Sequence, residues 1–77
     1  MKIKVLLFGV LADKAGIDEI EPENIVSLNG LDEYLRSEYP GITGIKYRYS
    51  VNQTLVRGNM KLKPGDEVAL LPPFAGG

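Results

Sequence analysis

The residues with the clearest chemical potential close the chain: Pro72-Pro73-Phe74-Ala75-Gly76-Gly77. Glycine has no Cβ, so a Gly-Gly backbone can pass through a channel too narrow for any side chain. A carboxylate on Gly77 would be sterically open to attack by another enzyme. Pro72 and Pro73 are stiff and extended, which points such a tail away from its domain and lowers the ordering cost of insertion. Six residues at about 3.3–3.6 Å each give about 20 Å of reach, enough to enter a deep cleft on a partner. A carboxylate is a poor electrophile, so acyl chemistry at Gly77 needs activation, most simply by an ATP-dependent adenylating enzyme. No phosphate-binding glycine loop occurs in the 77 residues, which places the ATP site on another protein.

The rest of the composition removes competing chemistry. There is no cysteine and no histidine, hence no thiolate nucleophile, imidazole base or ordinary zinc or haem site. Nine basic and ten acidic side chains leave a net charge of −1, a poor match to a nucleic-acid backbone. The longest apolar stretch, residues 5–8, is far too short to span a bilayer, and residues 2–5 do not lead into a signal-peptide core. The expectation is a cytoplasmic protein with no nucleic-acid or membrane partner. Apolar residues at 44 % and charged residues at 25 % fit one small globular domain held by its core alone.

The elements that must carry the tail follow from periodicity. Residues 3–8 alternate as a strand, sending Ile3, Val5 and Leu7 to one face and Lys2, Lys4, Leu6 and Phe8 to the other. Residues 9–16 read as a loop with room for a helical turn at 11–15, and residues 17–21 as a weak second strand. Ser27 is an N-cap for a helix whose stripe is Leu28, Leu31, Leu35 and Tyr39, stopped by Pro40-Gly41. Gly30 inside that helix costs about 1 kcal/mol relative to alanine, so packing must carry the element. Residues 45–51 alternate Ile45, Tyr47, Tyr49 and Val51 against Lys46, Arg48 and Ser50. Asn52-Gln53 turns the chain into Thr54-Leu55-Val56. Lys63-Pro64-Gly65-Asp66 fits a type II turn before a last strand at residues 67–71. Two hairpin-like halves joined by one helix, with the terminal strands parallel in the centre, predict an α+β fold of the β-grasp, ubiquitin-like kind: a mixed sheet with one main helix across one face. Residues 1–71 would form the domain and residues 72–77 an extended tail.

The stretch Val51-Asn52-Gln53-Thr54-Leu55-Val56, then Leu62, Pro64-Gly65-Asp66-Glu67-Val68-Ala69, and finally Pro72-Pro73 with Gly76-Gly77 resembles the small-subunit family of molybdopterin synthase, ubiquitin-like sulfur carriers. Ile3-Lys4-Val5-Leu6 with Phe8 and Gly16 is similar too. Phe74-Ala75 replaces the small or β-branched pair often found there, and Leu70-Leu71 stands where aromatics are common. The resemblance implies that an adenylating enzyme of the ubiquitin-activating type uses ATP on the Gly77 carboxylate. A sulfur donor then makes a thiocarboxylate, a soft anionic nucleophile that supplies what the missing cysteine withholds. It further implies that Pro72, Pro73, Phe74, Ala75 and Gly76 insert into the large subunit. There the sulfur would attack a cyclic pyranopterin precursor of the molybdenum cofactor, within a heterotetramer. The catalytic pocket is expected on the large subunit, and no cofactor is expected on this chain.

The family's partner-binding surface matches onto Phe8, Leu55 and Leu71, which parity places on the open sheet face; the alternative is that they pack under loops. Tyr34, Tyr39, Tyr47 and Tyr49 read as core or half-buried strand and helix residues, with ligand stacking as the lesser alternative. Arg57, Lys61 and Lys63 form a basic cluster, either solvated or facing an acidic partner. Asp13, Asp18, Glu19, Glu21 and Glu23 lack metal-site spacing, and Asp66 reads as a turn residue. Two other readings remain open at this point. One is a carrier for thiamine or tRNA thiolation, or a modifier of lysines. The other is a β-grasp binding module whose Gly-Gly end is accidental.

Overall fold

A computed structural model describes residues 2–72. The elements are β1 (Lys4–Leu7), α1 (Val10–Ala15), β2 (Glu19–Ile20), α2 (Leu28–Glu38), a 3-10 turn at Pro40–Ile42, β3 (Arg48–Val51), β4 (Thr54–Val56) and β5 (Glu67–Leu71). The strands form one mixed sheet in the order β2-β1-β5-β3-β4. β5 sits in the middle, parallel to β1 and antiparallel to β3. The predicted central parallel pair is therefore present, with Leu7 beside Leu70.

The sheet's inner face and α2 share one core. Ile3, Val5 and Leu7 are buried with Leu28, Leu31 and Leu35, as their spacing requires. Val51, Val68 and Leu70 complete the strand contribution. Leu11, Ile20, Ile42 and Leu62 come from α1, β2, the 3-10 turn and a loop, segments too short to show a period.

Helix α2 is anchored at its start by partners near and far. Ser27 Oγ accepts from Gly30 N at 3.1 Å, the expected N-cap. Asn29 N donates to Asn59 Oδ1 at 2.9 Å, Leu28 N to the Met60 carbonyl and Leu31 N to the Ser27 carbonyl. The first three of these bonds occupy first-turn amides that a helix leaves without internal partners, and the Leu31 bond is the first of the helix's own. At the other end Tyr39 caps α2, and Pro40 opens the 3-10 turn instead of ending all helical structure.

Two tight turns match their sequence chemistry. Asn52 and Gln53 both take positive φ (50° and 70°), the primed geometry that joins twisted antiparallel strands. Gly65 has φ 85°, and Asp66 N donates to the Lys63 carbonyl. Asp66 is indeed a turn residue: its carboxylate accepts from Lys63 N (2.8 Å) and Asn52 Nδ2 (3.0 Å), tying both turns together.

Two expectations are corrected. Residues 10–15 form a six-residue helix and not a loop with one turn; burial of Leu11 holds it, with no side-chain cap to announce it. Residues 45–47 alternate but join no ladder, because Ile45 N bonds back to the Ile42 carbonyl before β3 begins. Ser50 alternates with Tyr49 and Val51 as expected and is buried, since it lies on an inner strand between Ala69 and Leu55. Among the described residues no helix is long and apolar enough to cross a membrane.

Candidate functional site: the open sheet face and the root of the tail

Among the described residues, strand parity leaves the face opposite α2 without a covering layer. One rung crosses all five strands: Glu19, Leu6, Ala69, Ser50 and Leu55, each opposite the next. The next outward pair toward the tail is Arg48 and Leu71. Parallel pairing of Leu7 with Leu70, carried one residue on, sets Phe8 beside Leu71. The following step brings Gly9 against Pro72: a Cβ built on Gly9 would lie 3.3 Å from Pro72 Cγ. Gly9 also takes φ 56°, so this close approach selects glycine twice over.

The three residues expected to meet a partner are all on this surface. Phe8 is 46 % exposed and Leu55 57 %, large values for apolar side chains, while Leu71 is half-buried. They are not under loops. An apolar group of this kind, rimmed by Lys4, Glu19 and Arg48, has the makeup of an interaction surface. Of the tail, Pro72 is half-buried at the sheet's end, whereas Pro73, Phe74, Ala75, Gly76 and Gly77 lie outside the described residues.

Behind the hairpin lies a polar cluster that sequence reading missed. The Tyr47 and Tyr49 hydroxyls both donate to Asp32 Oδ1, at 2.7 and 2.8 Å, and Arg36 Nε donates to Asp32 Oδ2 at 2.9 Å. Burial raises the Asp32 carboxyl, but the two phenols and the guanidinium together outweigh it and hold the group below its ordinary value. Burial first, then the Asp32 hydrogen bond, pushes both phenols up. The rings meet edge to face at 5.5 Å. All four tyrosines are half-buried, as expected for packing residues. The cluster fastens α2 to the start of β3. Its members are 15 and 17 positions apart, a spacing with no local signature.

Of the basic trio only Arg57 lines a groove beside the patch. Lys61 bridges to Ser27, and Lys63 lies in the turn closed by Asp66.

A five-stranded mixed sheet with a parallel central pair and one helix across it defines a β-grasp, ubiquitin-like domain, here with an open apolar face at the foot of a Gly-Gly tail. Residues 5–77 match the ThiS family, and the chain belongs to it. It is 32 % identical to a molybdopterin synthase sulfur carrier subunit of Mycobacterium tuberculosis, over 100 % of this chain and 99 % of that one. Its fold superimposes with TM-score 0.75 and 28 % identity on a chain in the complex of subunits 1 and 2 of molybdopterin-converting factor from Helicobacter pylori, covering all of both. SAMP1 from Haloferax volcanii shares the fold alone, with TM-score 0.83 at 20 % identity and full coverage of both chains.

Proposed function

We propose that this chain is the sulfur-carrier subunit of a molybdopterin synthase. An adenylating enzyme of the ubiquitin-activating type converts the Gly77 carboxylate to an acyl-adenylate at the expense of ATP. A sulfur donor displaces AMP and leaves a thiocarboxylate. Residues 72–76 then thread into the large subunit, where the terminal sulfur attacks the cyclic pyranopterin precursor to form a thioester. Water cleaves the Gly77 acyl–sulfur bond, leaving sulfur on the pterin and returning the Gly77 carboxylate. The body supplies recognition through Phe8, Leu55 and Leu71, and the tail supplies the reacting atom. The observation that carries this reading is the end-to-end relationship to a chain named for that role. The exposed apolar group at the root of the tail supports it.

The test is intact mass after incubation with ATP, an activating enzyme and a sulfur source. The expected gain equals the exchange of one oxygen for one sulfur at the C-terminus. An unmodified chain, in an assay that loads a known carrier, would overturn the reading. Deleting Gly77 should abolish loading and leave folding intact; unaffected function would favour a binding module without chemistry. Phe8→Asp should weaken large-subunit binding strongly at unchanged melting temperature, and unchanged affinity would remove the patch from the account.

A further inference from the structure

The net charge of −1 conceals a separation. Residues 44–65 contain Lys46, Arg48, Arg57, Lys61 and Lys63 and no carboxylate, whereas residues 13–23 contain Asp13, Asp18, Glu19, Glu21 and Glu23 and one cation, Lys14. The sheet order sends these segments to opposite edges, with β2 at one and β4 at the other. On the β4 side one groove runs from α2 to the root of the tail, lined by Lys46, Tyr47, Arg48, Leu55, Arg57 and Leu71 among others. Its one carboxylate, Asp32, is already held by Arg36 and two phenols. Among the described residues no carboxylate lies within 4.0 Å of Lys46, Arg48 or Arg57.

The strand register makes this positive charge costly. Tyr49 pairs with Val56, and Arg48 and Arg57 are the next residue on each side, past the end of this ladder, on the parity of Ser50 and Leu55, and both line the groove. Like charges facing across a strand pair destabilise it unless an anion lies between them. The ladder stops at that step: β3 begins at Arg48 and β4 ends at Val56. Arg48 also pairs with Leu71, so the cations adjoin the apolar patch at the tail's root. An occupant must bring apolar surface together with negative charge, because Leu55, Leu71 and Tyr47 are interleaved with the cations. A phosphate chain offers charge alone.

We propose that this groove docks an acidic segment of a partner protein, an extended stretch whose aspartates or glutamates alternate with apolar side chains. The carboxylates would lie between Arg48 and Arg57, and the apolar residues would cover Leu55 and Leu71. The proposal deepens the carrier reading and rests on it for the choice of a protein partner.

The probe is a capped peptide of alternating glutamate and leucine, titrated into the full-length 15N-labelled chain. Saturable shifts are expected at the Tyr47, Arg48 and Arg57 amides, weakening as salt is raised. The double variant Arg48→Glu/Arg57→Glu should lose about tenfold in affinity, the sum of two exposed ion pairs. Lys61→Glu/Lys63→Glu makes the same change in net charge away from the groove and should stay within about twofold of the parent, since it removes no groove pair. Equal loss in both doubles would overturn the groove in favour of general attraction. Tighter binding of inorganic tripolyphosphate at the same amides would overturn it in favour of a small-anion site. Absence of shifts would overturn it outright. Sulfur loading of Gly77, measured on the same preparation, keeps the two readings apart: loading without peptide binding sinks the groove alone, and peptide binding without loading sinks the carrier alone.

Discussion

Asp32 is a single carboxylate that holds three donors from two elements. Its folded-state value lies below the ordinary 3.8. The stability it contributes is therefore complete above that value and lost as pH falls below it. Asp66, lowered first by the Lys63 amide and then by Asn52, adds in the same direction. Urea denaturation followed from pH 6 to pH 2 should show stability falling below about pH 4. Asp32→Asn together with Asp66→Asn should flatten that limb. At neutral pH Asp32→Asn alone should cost about 1.5–3 kcal/mol, the range for hydrogen bonds to a charged group. The phenols behave oppositely. Both are raised by burial and by the neighbouring carboxylate, so their contribution is intact below about pH 10 and lost above it. Tyr49→Phe should shrink this alkaline loss in a melt taken across pH 9 to 11.

At the level of elements, two glycines predict effects of opposite sign. Gly30 sits inside α2, where a Cβ would meet only Ser27 Oγ at 3.4 Å, so Gly30→Ala should stabilise by about 0.5–1 kcal/mol. Gly41 lies in the 3-10 turn, where a Cβ would come 2.8 Å from the Lys14 carbonyl oxygen at the end of α1, and backbone cannot step aside cheaply. Gly41→Ala should cost about 1–3 kcal/mol. Chemical denaturation of the two single variants checks both, and a stabilised Gly41→Ala would contradict the packing described. The same elements show which features were legible beforehand. The Ser27 cap, the Asn52-Gln53 and Pro64-Gly65 turns and β5 are written in adjacent residues, and the structure has them where their chemistry requires. Helix α1 was illegible because it lacks a capping side chain and rests on the burial of Leu11. The alternation at residues 45–47 misled because period two specifies faces without guaranteeing a ladder partner. Asn59 and Met60 could not be foreseen as partners for the first turn of α2, since they reach it from some thirty residues away. At the site, Phe8, Leu55 and Leu71 were readable from parity once the central strands were taken as parallel. The groove needed the register, which alone brings Arg48 and Arg57 to one place.

The molecule as a whole is built around its last strand. β5 is the one strand that touches both halves of the sheet, with β1-β2 on one side and β3-β4 on the other. Pairing β1 with β5 joins residues near opposite ends of the chain, so the sheet forms only after a large loop closes. Truncation before Val68 should therefore abolish cooperative unfolding, leaving two helices and two isolated strand pairs. Removing Gly76 and Gly77 should leave the melting temperature within a few degrees, since the described core is built from residues 3–70. A thermal melt of each truncation distinguishes the cases.

That arrangement also acts as a check on incomplete copies. Gly9 closes on Pro72, so the open apolar face is assembled in part from the same strand that leads into Pro72. Under the proposed carrier role, a chain cut short enough to lose β5 would lose its shape as well, and so could not sit on a partner as a blank that carries no sulfur.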